Sequence, residues 1–240
     1  MKVFAKTHVG MVREINEDAY YAPEHGESFC AVADGMGGHN AGEVASAMAV
    51  VTFSELMHKC EAPGAEEMRR AVECANADIY QRADTSVQLR GMGTTFVGLE
   101  CSGGEVNIAH VGDSRAYLIR EGGISRVTTD HSLVEEMVRE GLITEEEAKH
   151  HPKRNIITRA LGTYPTVEVD LIRMDKKSGD IYLLCTDGLS EYADEEIMLE
   201  ITMLDIPWKE KLERLIDVAL RGGGRDNITA LYAIFEEDLK

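Results

Sequence analysis

Cys30-Ala31-Val32-Ala33-Asp34-Gly35-Met36-Gly37-Gly38-His39 carries an apolar run onto a carboxylate and into a glycine-dense turn, and the amphipathic segment Ala41 to Lys59 follows it. The pattern predicts a buried strand that delivers Asp34 to the mouth of a loop. Glycines at 35, 37 and 38 let the backbone take positive φ and let a ligand approach main-chain carbonyls and amides, which suits a metal or a phosphate. Taken alone, an Asp-Gly turn more often only caps the next helix. Repetition changes that balance. Asp113 in His110-Val111-Gly112-Asp113-Ser114, Asp187 in Leu183-Leu184-Cys185-Thr186-Asp187-Gly188 and Asp226 in Gly224-Arg225-Asp226-Asn227 all stand where a glycine meets an extended apolar run.

A chain of 240 residues without a Pro/Ser-rich linker is expected to form one domain over 1–240 with a substantial core. Its 25 basic and 43 acidic residues leave a net charge of -18, which argues against nucleic acid or an anionic membrane as a partner and suits a chain that concentrates cations. The cysteines, five in number with no C-x-x-C pair, read as reduced thiols of a cytoplasmic protein. None is followed six residues later by arginine, so the phosphate loop of cysteine-dependent phosphatases is absent. The N-terminus lacks a signal-peptide core, and no apolar stretch approaches the roughly 18 residues of a membrane span.

Working outward, Val3 to His8 reads as a first strand, and Ala19 to Ala22 as a short one before the buried run Ser28 to Ala33. Arg13, in the polar turn between the first two, has the planar fork that matches phosphate, although an ion pair with Glu14 or Glu17 is the commoner use of such a residue. Helical spacing marks Ala41 to Lys59, and Pro63-Gly64 separates it from a second long helix over Ala65 to about Leu89. The period then changes. Thr94 to Glu100, Glu105 to Val111, Ala116 to Arg120 and Ile124 to Val127 read as a meander of sequential antiparallel strands.

Short helices at Leu133 to Glu140 and Thr144 to Lys149 precede His150-His151-Pro152-Lys153-Arg154-Asn155, the one basic cluster, which reads either as a loop greeting a phosphorylated partner or as a solvated connector. Strands at Val167 to Ile172 and Ile181 to Cys185, helices at Asp194 to Thr202 and Pro207 to Leu220, and a strand at Ile228 to Phe235 complete the chain. Clustered helices without regular βαβ alternation indicate sheets packed together with helices outside.

Hard cations such as Mg2+ and Mn2+ take oxygen ligands, so Asp34, Asp187, Asp226 and one glycine carbonyl are chemically sufficient for a site. Two such ions about 3.5–4 Å apart, bridged by one carboxylate, would acidify a shared water and neutralise a phosphoryl group under in-line attack, which is a hydrolase plan. Competing motifs fail on their letters. Asn40 stands where a dinucleotide fingerprint needs glycine, and there is no G-K-[ST] loop, no H-E-x-x-H pair and no EF-hand spacing beyond Asp34.

Arg13-Glu14-Ile15-Asn16-Glu17-Asp18, Ala33-Asp34-Gly35-Met36-Gly37-Gly38-His39, Gly93-Thr94-Thr95, Gly112-Asp113-Ser114-Arg115, Thr186-Asp187-Gly188-Leu189 and Arg225-Asp226-Asn227 together resemble the PPM family, the type 2C metal-dependent Ser/Thr protein phosphatases, and its compact bacterial members most closely. The resemblance implies an α+β fold, a four-layer αββα sandwich of two antiparallel β-sheets flanked by helices. It implies hydrolysis of phosphoserine and phosphothreonine in proteins with two Mn2+ or Mg2+ ions and a weaker third. On it, Asp34 would bridge two metals, Gly35 would give a carbonyl to one, Asp187 and Asp226 would bind the other, and Asp113 would share the third with Asp187. Arg13 would hold phosphate oxygens, Glu17 and Asp18 would orient metal-bound water from the outer shell, and Asn227 would buttress the Asp226 turn. Many eukaryotic members place a histidine directly after Asp-Gly as a candidate proton donor. Met36 stands there in this chain and cannot donate, which leaves His39 or a metal-bound water for that step.

The segment from about 142 to 166 aligns with a flap that varies among bacterial members, which makes Lys149, Lys153 and Arg154 candidate phosphoprotein contacts. Expected partners are phosphorylated proteins, including a Ser/Thr kinase and its substrates, acting on a monomer. A hydrolase of small phosphoesters, or of one dedicated phosphoprotein regulator, is the alternative within catalysis. From another class comes a phosphoprotein-binding pseudophosphatase, against which the intact Asp34, Asp187 and Asp226 speak.

Overall fold

Along Phe29 to Met36 the side chains of Phe29, Ala31 and Ala33 pack into one buried cluster and those of Cys30 and Val32 into another, the period of two that a strand covered on both faces requires. The computed structural model describes residues 1–23, 27–37 and 41–235 and builds the whole fold from this alternation. In chain order the elements are β1 (Lys2–His8), β2 (Asp18–Tyr21), β3 (Phe29–Met36), α1 (Gly42–Lys59), α2 (Ala65–Ala83), β4 (Gly93–Thr94), β5 (Phe96–Ser102) and β6 (Glu105–Val111). They continue with β7 (Arg115–Arg120), β8 (Gly123–Arg126), α3 (Leu133–Arg139), α4 (Glu145–Lys149), β9 (Asp170–Asp175), β10 (Ile181–Cys185), α5 (Asp187–Ser190), α6 (Glu195–Met203), α7 (Trp208–Gly222) and β11 (Ile228–Ile234).

One antiparallel sheet has the order β1-β11-β10-β7-β8, and the other β2-β3-β5-β6-β9 with β4 added to β3. Three apolar layers hold four structural layers together. Phe53, Met57, Met68 and Ile79 of α1 and α2 pack on Phe29, Ala31 and Phe96. Val32, Val97 and Ile108 of one sheet face Leu118, Leu184 and Leu231 of the other. Met198, Leu212, Leu215 and Ile216 of α6 and α7 close over Leu183 and Tyr232. This is the expected αββα sandwich.

Several boundaries differ from the sequence pattern for identifiable reasons. β3 does not stop at Asp34: it runs to Met36 because β4 pairs with it, Gly35 opposite Thr94 and Met36 opposite Gly93. Asp34 therefore lies inside a strand rather than at a loop mouth. α2 ends at Ala83, where the Thr85 hydroxyl turns back to the Arg82 carbonyl at 2.7 Å, and Val87 to Leu89 form a separate 3-10 turn under the Ser86 cap. The run from Thr94 is not a simple meander either, since β5 and β6 pair in one sheet while β7 and β8 pair in the other. Gly112, at φ 108, makes that crossing. β9 begins three residues later than the Val167 run, and the turn of helix α5 has no counterpart in the sequence reading.

The alternation also sets the polar end of the sandwich. Asp34 follows Cys30 and Val32 onto the inter-sheet face, and Asp18 lies opposite it in the β2–β3 ladder. From the other sheet, Thr7 follows Val3 and Ala5, and Thr229 precedes Leu231 and Ala233. The apolar inter-sheet layer thus gives way at one end to carboxylates and hydroxyls.

Candidate metal centre

Asp18 and Asp34 come from paired strands, Asp113 from the β6–β7 crossing, Asp187 from the first position of α5, and Asp226 from the turn entering β11. Gly35 makes their approach possible. Its N–H donates to the Glu17 carbonyl at 3.1 Å, and a Cβ there would overlap the carbonyl oxygens of Glu17 and Gly42, so β2, β3 and the start of α1 can meet only at glycine. Gly188 plays the same part on the opposite wall, because a Cβ on it would overlap the Asn227 carbonyl oxygen.

Burial first, and then the charges of Asp18, Asp187, Asp113 and Asp226, push the Asp34 carboxyl well above the usual carboxylate range. Asp18, Asp113 and Asp187 are raised for the same reasons, desolvation foremost and neighbouring aspartates second. Oδ1 of Asp18, Asp113 and Asp187 and Oε2 of Glu43 are buried with no hydrogen-bond partner among the described residues. Carboxylate oxygens without donors, on side chains that repel one another, form the oxygen set that a hard divalent cation takes. The residues present therefore fit Mn2+ or Mg2+.

At the rim, Arg13 Nη2 reaches Asp226 Oδ2 at 2.9 Å and Nη1 lies 3.9 Å from Glu17. Its side chain stays 47% exposed, so the outer edge of the guanidinium remains open to an oxyanion. Asn227 does more than buttress its neighbour. Its own N–H donates to Asp226 Oδ1 at 2.8 Å, its Oδ1 accepts the Glu17 N–H at 2.8 Å, and its Nδ2 donates to the Val9 and Ile15 carbonyls at 2.9 Å each. One buried amide thereby ties the whole Arg13 loop to the root of β11.

His39 lies outside the described residues. In the segment 142–166, Lys149 is paired with Glu146 at 2.9 Å and Arg154 with Glu191 at 3.2 Å, the latter joining this segment to the residue just after α5. Glu43, in the first turn of α1, was missed by the sequence reading; its signal is proximity to Gly42, which becomes visible only once Gly42 is seen to pack on Gly35 and Glu17. Thr186 and Thr229, whose hydroxyls both donate to Asp18 Oδ2, were missed as well.

A second cluster of ligand types, His110, His131 and Asp170, has side-chain atoms within 4.8 Å of one another. It is built as an ion-pair network. His131 Nδ1 accepts the Gly112 N–H at 2.9 Å, which leaves the ring proton on Nε2, facing Asp170 Oδ2 at 3.2 Å. Arg159 occupies the other oxygen of Asp170 at 2.6 Å. Arg159 Nη1 also lies 3.0 Å from His131 Nε2, so its guanidinium takes up the space between these two groups, while both ring nitrogens of buried His110 have no partner among the described residues.

Comparison with known families matches residues 11–228 to Protein phosphatase 2C, and the chain belongs to that family. It is 42% identical over 237 residues to the serine/threonine protein phosphatase PstP of Mycobacterium tuberculosis, covering 97% of this chain and 45% of that protein, so it spans about half the length of this relative. With the serine/threonine phosphatase stp of Listeria monocytogenes it shares 40% identity, covering 98% of this chain and 95% of the relative. Among solved structures, the catalytic domain of PstP in complex with two manganese ions superposes with a TM-score of 0.86 at 39% identity, covering 98% of each chain.

Proposed function

We propose that the chain is a metal-dependent protein serine/threonine phosphatase that hydrolyses phosphoserine and phosphothreonine in proteins, with 1–240 acting as one catalytic domain and 142–166 as its flap. The observation that carries this reading is the group of donor-less carboxylate oxygens at the polar end of the sandwich, with Arg13 on its rim. When bound, a pair of Mn2+ or Mg2+ ions supplies charge neutralisation at the phosphoryl group and lowers the pKa of water. Asp34, the Gly35 carbonyl, Asp187 and Asp226 would hold the pair, and Asp113 with Asp187 a weaker third ion. Arg13 orients the phosphate oxygens. Glu17 and Asp18 accept hydrogen bonds from the attacking water and fix its direction. Protonation of the leaving alkoxide falls to His39 or to solvent, because Met36 has no proton to give.

The names of the relatives support phosphorylated proteins as substrates, and we read a Ser/Thr kinase and its targets among them and a role in signalling. The net charge of -18 supports a reading without nucleic acid. Among the described residues no helix is long and apolar enough to cross a membrane. A cytoplasmic monomer is the state we assign. The test is hydrolysis of a phosphothreonine peptide by purified protein in EDTA, Mg2+ or Mn2+, beside an Asp187→Ala variant. Turnover restored by metal and lost in the variant is expected; a folded protein without turnover under any metal would overturn the reading in favour of a phosphoprotein-binding module.

A further inference from the structure

Asp18 differs from the other aspartates of the cluster in having one oxygen bound twice and the other not at all. Oδ2 receives the Thr229 hydroxyl at 2.6 Å and the Thr186 hydroxyl at 3.0 Å, while Oδ1 is buried without a hydrogen bond to any described residue. Two main-chain amides fix the direction of every bond around it. The Thr229 N–H donates to Thr186 Oγ1 at 3.0 Å, so the Thr186 hydroxyl is free to donate only toward Asp18. Thr186 sits at the N-cap of α5, yet its side chain makes no capping bond there. On the other side, the Asp18 N–H donates to Asn16 Oδ1 at 3.2 Å, which turns the Asn16 amide so that Nδ2 donates to Thr7 Oγ1 at 2.8 Å. Thr7 must then donate to Thr229 Oγ1 at 2.7 Å, and Thr229 to Asp18.

We propose that Thr186 and Thr229, backed by Thr7 and Asn16, are positioning residues that pin Asp18 Oδ2 and thereby present Oδ1 alone to Asp34, Asp187 and Asp226. The terminal torsion of an aspartate is broad and nearly two-fold, so without the two hydroxyls the carboxylate would rotate and offer either oxygen. With them, one acceptor stands in one direction. The hydroxyls reach Asp18 from the facing sheet, so the clasp also fixes the spacing of the two walls of the site. The inference rests on the metal-dependent phosphatase reading, which it deepens. Outer residues that orient a metal site are worth about 10- to 100-fold in affinity or activity.

The experiment uses Thr229→Val, which keeps shape and removes the hydroxyl, with Thr229→Ser as the conservative rescue. Calorimetric titration with Mn2+ in the absence of substrate is read together with kcat and KM on an aryl phosphate and the melting temperature in EDTA. Thr229→Val is expected to bind Mn2+ about tenfold more weakly and to lose about 10-fold or more in kcat with KM little changed, and Thr229→Ser to recover both. Thr186→Val acts in the same direction, and Thr7→Val, one bond further back, acts least. A Thr229→Val protein with a lowered melting temperature in EDTA but wild-type Mn2+ affinity and kcat would overturn the proposal, since a merely structural hydroxyl behaves that way. If Thr229→Val does not fold, wild-type Mn2+ affinity in both Thr186→Val and Thr7→Val overturns it instead. Should the parent protein hydrolyse no phosphoester while Mn2+ affinity still falls in the valine variants, the clasp stands and the phosphatase reading fails.

Discussion

β10 is bracketed by two aspartates that the fold treats in opposite ways. Asp180, just before the strand and 1% exposed, has Arg120 Nε on Oδ1 at 2.7 Å, Arg120 Nη2 on Oδ2 at 2.8 Å and the Lys177 N–H on Oδ2 at 2.7 Å. Asp187, just past the strand, has a buried Oδ1 with no donor among the described residues and faces Asp34 and Asp226. At one end the chain brings its own counter-charge, and the carboxylate serves the fold. At the other it withholds one, and the carboxylates are left for a cation from solution. Asp130, gripped by Arg115 through contacts of 2.6 to 3.1 Å, belongs to the first kind even though it lies near Asp113.

The largest contrast should appear when each aspartate is neutralised. Asp187→Asn is expected to lose on the order of 1,000-fold in kcat on a phosphothreonine peptide, the several kcal/mol that a bridged cation supplies, while its melting temperature in EDTA holds or rises because a repelling charge is gone. Asp180→Asn should do the reverse. It leaves Arg120 without its carboxylate, costs about 3 kcal/mol in a urea titration, and retains turnover in the folded protein. Equal loss of activity in both variants would erase the distinction between the two ends.

Arg13→Ala sharpens the comparison at the rim. Losing a charge-assisted contact to phosphate should lower kcat/KM about 10- to 100-fold, yet Mn2+ affinity should not fall, because Asp226 is released from its ion pair. A parallel fall in Mn2+ affinity would make Arg13 part of the metal frame instead.

The pH dependence of metal-free stability probes the polar end without any substitution. Asp187, Asp18 and Asp113 are raised to about 6, about 7 and about 8, chiefly by burial and then by neighbouring carboxylates, so between the ordinary carboxylate range and pH 8 the folded chain holds more protons than the unfolded one. Stability must then decline as pH rises through that window. The melting temperature in EDTA is therefore expected to be higher at pH 5.5 than at pH 8, and saturating Mn2+ should flatten or invert the slope; a slope that ignores Mn2+ would contradict the assignment. The smallest effect belongs to a buried carboxylate that is none of the metal-site aspartates and is held by one side-chain amide. Glu100 is buried and raised by desolvation; its Oε2 accepts the Asn107 Nδ2 at 2.9 Å, while Oε1 and Asn107 Oδ1 have no partner among the described residues. Glu100→Gln supplies a donor and should add about 1 kcal/mol at pH 8 with activity unchanged.

Much of this layout could be read from the letters. Packed sheets with helices outside, and the strands holding Asp34 and preceding Asp187, follow from alternation and from turns that recur beside aspartates, while the count of four layers is what the family resemblance implies. What escaped was non-local. Gly37 and Gly38 read as a turn after Asp34, whereas the distant Gly93 and Thr94 hold Gly35 and Met36 in a strand. Gly112-Asp113-Ser114 has the spacing of a hairpin, yet His131, almost twenty residues on, holds Gly112 through both ring and backbone as the chain crosses to the other sheet. Arg120 and Asp180 are sixty positions apart, and nothing in either neighbourhood pairs them. Thr186 and Thr229 did leave a trace: they continue the buried alternation of Leu184 and Leu231 with a hydroxyl where another aliphatic side chain would have fitted.

Calorimetric titration of Mn2+ into metal-free protein, run on the parent chain, Asp187→Asn and Asp180→Asn, tests the contrast between the two ends of β10 most directly. The account predicts two ions bound per parent chain with net release of protons, the same stoichiometry in Asp180→Asn, and loss of tight binding in Asp187→Asn. Failure of the parent to bind Mn2+, or binding that survives unchanged in Asp187→Asn, would contradict it.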